Sequence, residues 1–70
     1  MAMTHERRLD VAYGPAGAVG TVKEVEDGVF AVTMAGADAP IGRYEGIGVA
    51  KNALMSHLKP GSDRPEFREH

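Results

Sequence analysis

The sequence predicts a mostly β fold: a small antiparallel, strongly curved sheet or partly open β-barrel of four to five strands, with one short C-terminal helical turn. Two observations favour this fold. Runs of β-branched residues on both sides of Asp27-Gly28 indicate a hairpin, because this dipeptide tolerates the positive φ angles of a two-residue type I′ turn. Short alternating segments elsewhere end at glycine and proline turns, which is typical of closely connected strands.

Valines at positions 19, 22, 25, 29 and 32 would also fit the spacing of a helix. Such a helix would contain five β-branched residues and two interior glycines, and each glycine costs about 1 kcal/mol relative to alanine. It would also place an Asp-Gly pair at its centre. We therefore expect two strands joined at residues 27–28.

In this hairpin Val25 faces Phe30, and Val32 and Met34 lie on the same face. Val22 then points to the opposite face. A β-bulge between Val22 and Val25 would return it to the core, and three-residue spacing of valines is what such a bulge leaves in a sequence. A sheet that is apolar on both faces is the alternative, and the sequence does not choose between them.

Residues 9–13 form the preceding strand, since apolar Leu9, Val11 and Tyr13 alternate with Asp and Ala. The segment Gly14-Pro15-Ala16-Gly17 that follows suits a type I turn, so the first two strands should pair antiparallel. We expect the N-terminal residues 1–8 to be frayed, because they are mostly polar and carry no periodic pattern.

Downstream of the hairpin, small residues, glycine and proline predict a surface loop of about eight residues. Residues 44–49 alternate and predict a fourth strand, in which Gly46 and Gly48 share one face. Residues 51–58 change to a helical period, with Asn52 as a candidate cap. The small domain is thus expected to span residues 9–58, and the tail 59–70 to be extended or disordered.

Composition excludes several classes of function. Seventy residues make one small domain, and the absence of cysteine excludes disulfides, thiolate metal sites and a cysteine nucleophile. A formal net charge of −2 without any block of like charges does not favour sequence-independent nucleic-acid binding. No apolar run is long enough for a membrane span or a secretory signal, so we expect a cytoplasmic protein that does not bind membranes.

Two segments resemble the PRC-barrel family. They are Gly17-Ala18-Val19-Gly20-Thr21-Val22-Lys23-Glu24-Val25, followed by Asp27-Gly28-Val29-Phe30, and the later stretch from Tyr44 through Ala53-Leu54. The resemblance implies a small β-barrel that serves as an adaptor or docking module and not as a catalyst. The final strand of that family has no evident counterpart after Leu58. An open sheet edge would result, and it would invite pairing with a partner or a second copy.

The residues themselves point to no chemistry. The glycines at 14, 17 and 20 do not have the spacing of a phosphate-binding loop, and the three histidines lack metal-ligand spacing. Glu24, Glu26 and Asp27 fit a solvated rim, and adjacent Ser56 and His57 would diverge on a helix. We therefore predict no catalytic residue, no metal site and no cofactor.

These patterns predict a protein-binding module that self-associates as a homo-oligomer; the alternative is an RNA- or ribosome-associated module. An unpaired edge and the glycine-rich segment support the first reading, and clustered basic residues support the second. Lys59, toward the helix, is a further basic candidate. The possible binding surface comprises Arg7, Arg8, Arg43, Tyr44, Gly46, Gly48 and Lys51.

Overall fold

The fold is one five-stranded antiparallel sheet with a single helix packed on one face. The computed structural model describes residues 7–59, 61 and 63–70, so the N-terminal segment 1–6 expected to be frayed lies outside the described residues. The elements are β1 (Leu9–Gly14), β2 (Gly17–Glu26), β3 (Val29–Met34), β4 (Gly42–Glu45), α1 (Ile47–Ser56) and β5 (Glu66–Glu69).

The strand order is β4-β3-β2-β1-β5, and every neighbouring pair is antiparallel. The first four strands follow each other as a meander, and β5 returns after α1 to pair with β1. The sheet does not close, because β4 and β5 remain as its two edges. The prediction of a mostly β fold with an open antiparallel sheet and one short helix is therefore confirmed.

The hairpin at residues 27–28 is confirmed, but its turn differs from the expected type. Gly28 has a φ of 76°, whereas no described residue other than glycine has a positive φ. A type I′ turn requires positive φ at both central positions, so Asp27 does not satisfy it. The Glu24 carboxylate accepts a hydrogen bond from the Gly28 backbone N–H at 3.2 Å, which holds the turn from the strand side.

β2 contains two irregularities, and they explain the three-residue valine spacing. Against β3, the register shifts between Glu24 and Glu26, so Val25 is the extra residue and Glu24 instead of Val25 faces Phe30. Against β1, Ala12 pairs with Gly20 and Tyr13 with Ala18, so Val19 is bulged. Val22 consequently lies on the core face and is fully buried. Of the two alternatives left open by the sequence, the bulge is the one observed.

The core lies between the sheet and α1. Its buried apolar members are Ala12, Val22, Phe30, Val32, Ala50 and Leu54. Gly20 permits the close approach of the helix, because a Cβ there would stand 2.9 Å from the Thr33 carbonyl oxygen and 3.0 Å from the Leu54 Cδ1. Side-chain volume at that position would push α1 away from the sheet.

The alternation of apolar and polar residues in β1 points to the wrong face of the strand as the buried one. Asp10 and Ala12, with 1% and 0% exposure, are the buried side chains, whereas Leu9, Val11 and Tyr13 are half-exposed on the outer face. Ala12 is small enough to pack within the core. The Asp10 carboxylate can be buried because Arg8 and Lys51 lie beside it. A hydropathy pattern cannot register such partners, because they come from outside the strand.

The helix begins earlier than its sequence pattern indicates. β4 ends at Glu45, and α1 starts at Ile47, so the glycines at 46 and 48 do not share a strand face. Gly46 is the N-cap with a φ of 88°, and Asn52 lies inside the helix instead of capping it. Ile47, Ala50 and Leu54 form the helical stripe that packs on the sheet, and this burial overrides the short-range alternation.

The tail contains a fifth strand, so the domain continues beyond residue 58. β5 pairs with β1 from Asp10 opposite Glu69 to Tyr13 opposite Glu66. Phe67 packs against the core, and its ring lies 5.0 Å from the Lys51 Nζ. The expectation that no strand follows Leu58 is therefore wrong, whereas the sheet keeps open edges, which are β4 and β5.

Candidate functional site

A concave surface lies at the end of the sheet where β1 turns into β2, and we call it the Leu58 groove. Its deeper part is a cleft of about 360 Å³. A second cleft of about 220 Å³ adjoins it and shares Leu58, Asp63 and Pro65 with it. The deeper cleft is lined by Gly14, Pro15, Ala16, Val19, Leu58, Gly61, Asp63 and Pro65.

The register of β5 creates this groove. Glu66 pairs with Tyr13, so buried Pro65 lies next to Gly14, where the β1–β2 turn begins. Leu58, Gly61 and Asp63, which are described residues between α1 and β5, line the deeper cleft together with the turn at 14–17. The bulge directs Val19 to the same place, since its Cγ1 would be 3.0 Å from a Cβ at Gly14.

The two clefts differ in charge. Among the described residues that line the deeper cleft, Asp63 is the only ionisable one, and the others are apolar or glycine. The shallower cleft adds Lys59 and Arg64 beside Asp63, together with Met55. Lys59, Asp63 and Arg64 are all exposed, so the groove combines an apolar floor with a lip that carries one more positive than negative charge.

A second polar feature, the Asp10 cluster, comprises Asp10, Arg8, Lys51 and Glu69. The Arg8 guanidinium donates to both Asp10 carboxylate oxygens, at 2.8 and 3.2 Å. The Lys51 Nζ lies 3.5 Å from Asp10 Oδ2, and the Arg8 Nε lies 3.8 Å from the Glu69 carboxylate. The cluster thus joins the start of β1, the middle of α1 and the end of β5.

Electrostatics keep Asp10 ionised although its side chain is buried. Burial raises the pKa of Asp10, but the hydrogen bond from Arg8 and the positive charges of Arg8 and Lys51 outweigh it, and the pKa lies below its ordinary value. Each charged group in this cluster lies within 4 Å of a group of opposite charge. These ion pairs connect β1, α1 and β5. The arrangement suits a structural role.

The predicted binding residues do not form one surface. Arg8 and Lys51 meet at Asp10, whereas Arg7 lies 3.7 Å from Asp27 and Arg43 lies 3.9 Å from Glu26, both beside the β2–β3 turn. Tyr44 is half-buried on the core face of β4, where its hydroxyl would be 2.9 Å from a Cβ at Gly42.

The two predicted glycines lie at different places: Gly46 is beside the β2–β3 turn, near Arg7 and Arg43, and Gly48 is at the start of α1. Gly46 donates its backbone N–H to the Gly28 carbonyl at 2.8 Å, and exposed Gly48 lies in the first turn of α1. Apart from Lys59, the groove residues were not predicted. The signal that could have found them is the pair of proline-containing turns around Pro15 and Pro65, but only the β1–β5 pairing brings the two turns together.

Within residues 7–59, 61 and 63–70, no three His, Asp or Glu side chains converge in an arrangement that could hold a metal ion. No helix in this part of the chain is long and apolar enough to cross a membrane. Comparison of the chain with protein-family models, with curated proteins and with solved structures finds no match.

Proposed function

We propose that the protein is a non-catalytic protein-binding module, and that it binds a segment of its partner in the Leu58 groove. The observation that carries the proposal is the composition of the deeper cleft. Apolar side chains and glycines form its wall, and Asp63 is the one ionisable group among the described residues that line it. Such a lining gives an apolar anchor a place to bind, but it supplies no pair of groups for acid and base chemistry.

The size of the groove also supports a peptide ligand. Small-molecule pockets occupy about 300–1,000 Å³ and enclose most of their ligand. The deeper cleft, at about 360 Å³, is at the lower end of this range and shares three lining residues with the second cleft. Two open clefts that share part of their lining suit one or two side chains of an extended segment better than a compact ligand.

The RNA-associated alternative has less support. Its predicted cations, Arg7, Arg8, Arg43 and Lys51, each have a carboxylate within 4 Å. Phosphate binding requires positive charge that is available to displace counterions. Cations that already face carboxylates contribute less to such binding.

A selection from a random peptide library on the immobilised protein tests the proposal. Enriched peptides are synthesised, and their Kd is measured by fluorescence anisotropy against two variants with the same chemical change. Ala16→Trp fills the deeper cleft from the exposed β1–β2 turn. Ala39→Trp places the same ring on the exposed β3–β4 loop, outside both clefts.

We expect Ala16→Trp to weaken binding by about tenfold or more, and Ala39→Trp to leave it unchanged, because only the first removes space for the anchor. A library that yields no binding peptide contradicts the proposal. Peptides that bind Ala16→Trp as tightly as the original protein contradict it as well.

Self-association stays a prediction with a changed basis. The strand whose absence suggested it is present as β5, and the edges of the sheet are four-residue strands with charged residues, among them Arg43 and Arg68. Short, charged edge strands resist edge-to-edge pairing. Light scattering across a range of concentrations decides the point, because a constant mass of one chain removes self-association and a dimer mass supports it.

A further inference from the structure

We propose that the ligand of the Leu58 groove is an acidic peptide segment, in which an apolar side chain fills the deeper cleft and neighbouring carboxylates pair with Lys59 and Arg64. This inference rests on the proposed function and adds the chemical class of the partner. The observation behind it is that, within the described residues, most Lys and Arg side chains of the protein lie beside a carboxylate, whereas the two at the groove do not.

Most cations of this protein are paired internally. The chain has eight Lys and Arg side chains, and all eight are among the described residues. Five of them lie within 4 Å of a carboxylate: Arg7, Arg8, Arg43, Lys51 and Arg68. Within the part of the chain that the structure describes, the three cations without such a contact are Lys23, Lys59 and Arg64.

Two of these three cations line the groove. Lys59 and Arg64 border the shallower cleft, and Leu58 and Pro65, their neighbours in sequence, line both clefts. An anchor held between Leu58 and Pro65 therefore has both cations one residue away along the groove wall. Lys23 lies elsewhere, on an exposed position of β2 where it pairs with Leu9 at the opposite end of β1.

Asp63, the carboxylate among the described residues of the groove, does not reverse the expected preference for an acidic ligand. Asp63 lies in the wall shared by the two clefts, and neither Lys59 nor Arg64 forms a salt bridge with it. Two cations and one carboxylate leave a net positive lip in a protein whose formal net charge is −2. An acidic ligand gains attraction at this lip, whereas the protein as a whole repels it, so the groove is the place where it binds.

The test uses three labelled synthetic peptides with blocked ends. Each carries one central leucine between glycine and serine residues, and they differ only in the residues that flank the leucine: glutamate, glutamine or lysine. Affinity is measured by fluorescence anisotropy at low ionic strength and again at about 1 M salt, where the Debye length is about 3 Å.

We expect the glutamate peptide to bind about tenfold more tightly than the lysine peptide, with the glutamine peptide between them, because exposed ion pairs contribute modestly. At high salt this difference should largely disappear. Lys59→Glu and Arg64→Glu should each weaken binding of the glutamate peptide about threefold to fivefold. Their combination should favour the lysine peptide.

Lys23→Glu is the matched control, because it makes the same change of net charge at the third cation without a carboxylate contact. It should change affinity by less than about twofold, since it lies outside the groove and is screened by solvent. An equal loss in Lys23→Glu and Lys59→Glu would overturn the inference, because net charge and not the lip would then decide affinity.

The outcomes separate this inference from the proposed function. If all three peptides bind equally and Ala16→Trp weakens each of them, the groove binds peptides but the acidic preference is refuted. If the lysine peptide binds most tightly, Asp63 dominates the lip and the inference is refuted. If none of the three peptides binds and the library selection also yields nothing, both proposals fail together.

Discussion

The Asp10 cluster and the Leu58 groove use charge in opposite ways. In the cluster, Asp10 is 1% exposed, and the charges of Arg8 and Lys51 are directed inward at it. In the groove, Lys59 and Arg64 are exposed and have no carboxylate partner among the described residues. The first arrangement holds three elements of the fold together, and the second leaves positive charge available to a ligand.

This difference teaches that counting basic residues does not locate a binding surface in a small domain. The sequence presents Arg8 and Lys51 as binding candidates of the same kind as Lys59, and only their surroundings distinguish them. Substitutions in the two regions should therefore separate stability from binding, and the apolar core between them provides the reference for the size of the effect.

The largest effect is expected for Leu54→Ala, which removes the fully buried side chain that packs against Gly20 beneath α1. We expect it to lower the free energy of unfolding by about 3 kcal/mol, from lost burial and the cavity left behind. Val49→Ala on the same helix, at a position that is 56% exposed, is the control and should cost under about 0.5 kcal/mol. Urea denaturation measures both, and equal losses would contradict the position of the core.

The next effect is expected for Asp10→Asn, which removes the negative charge that Arg8 and Lys51 surround. We expect a loss of about 2 kcal/mol, below the range for a fully buried ion pair because both cations are partly exposed. Asp63→Asn, in the groove, should cost under about 0.5 kcal/mol. If both variants lose the same stability, the contrast between the cluster and the groove is wrong.

A smaller effect is expected from acid. The pKa of Asp10 is lowered in the folded state by Arg8 and Lys51 against the opposing effect of burial, whereas an unfolded aspartate has a pKa of about 3.9. The stabilising contribution is therefore complete above about pH 4 and is lost as the pH falls from there through the folded-state pKa. Denaturation midpoints measured across this range should fall less steeply for Asp10→Asn than for the original protein.

The smallest effect on stability is expected for the double variant Lys59→Ala and Arg64→Ala. Exposed cations without a partner contribute little to folding, so the free energy of unfolding should change by less than about 0.5 kcal/mol. Its affinity for the glutamate peptide should nevertheless fall. A substantial loss of stability would assign these two side chains to the fold and remove them from the ligand surface.

Local features of the sequence predicted the framework of the fold. Asp27-Gly28 between β-branched runs located the hairpin, because this signal arises within a few residues. The valine spacing raised a bulge between Val22 and Val25 as one of two alternatives, and in the structure Val25 is the extra residue. The position of β5 could not be predicted in this way. Its four residues Glu66–Glu69 include three charged ones, and they form a strand because β1 offers a pairing edge and Phe67 reaches the core.

Most residues of the candidate site could not be predicted from the sequence for the same reason. The groove depends on Pro65 lying beside Gly14, which follows from the register between β1 and β5 and not from any local pattern. The buried position of Asp10 depends on Lys51 from a helix more than forty residues away in sequence. Such long-range compensation allows a charged residue to occupy a core position that hydropathy assigns to its neighbours.

The pairing of β5 with β1 also sets an order of events during synthesis. β1 leaves the ribosome long before β5, and until then it can pair only with β2, while the wall of the groove supplied by Leu58 and Pro65 has not yet been made. Contacts between such distant parts of a chain form late, because the intervening segment must be translated and ordered first. A nascent chain therefore acquires its hairpin early and the complete wall of the Leu58 groove late.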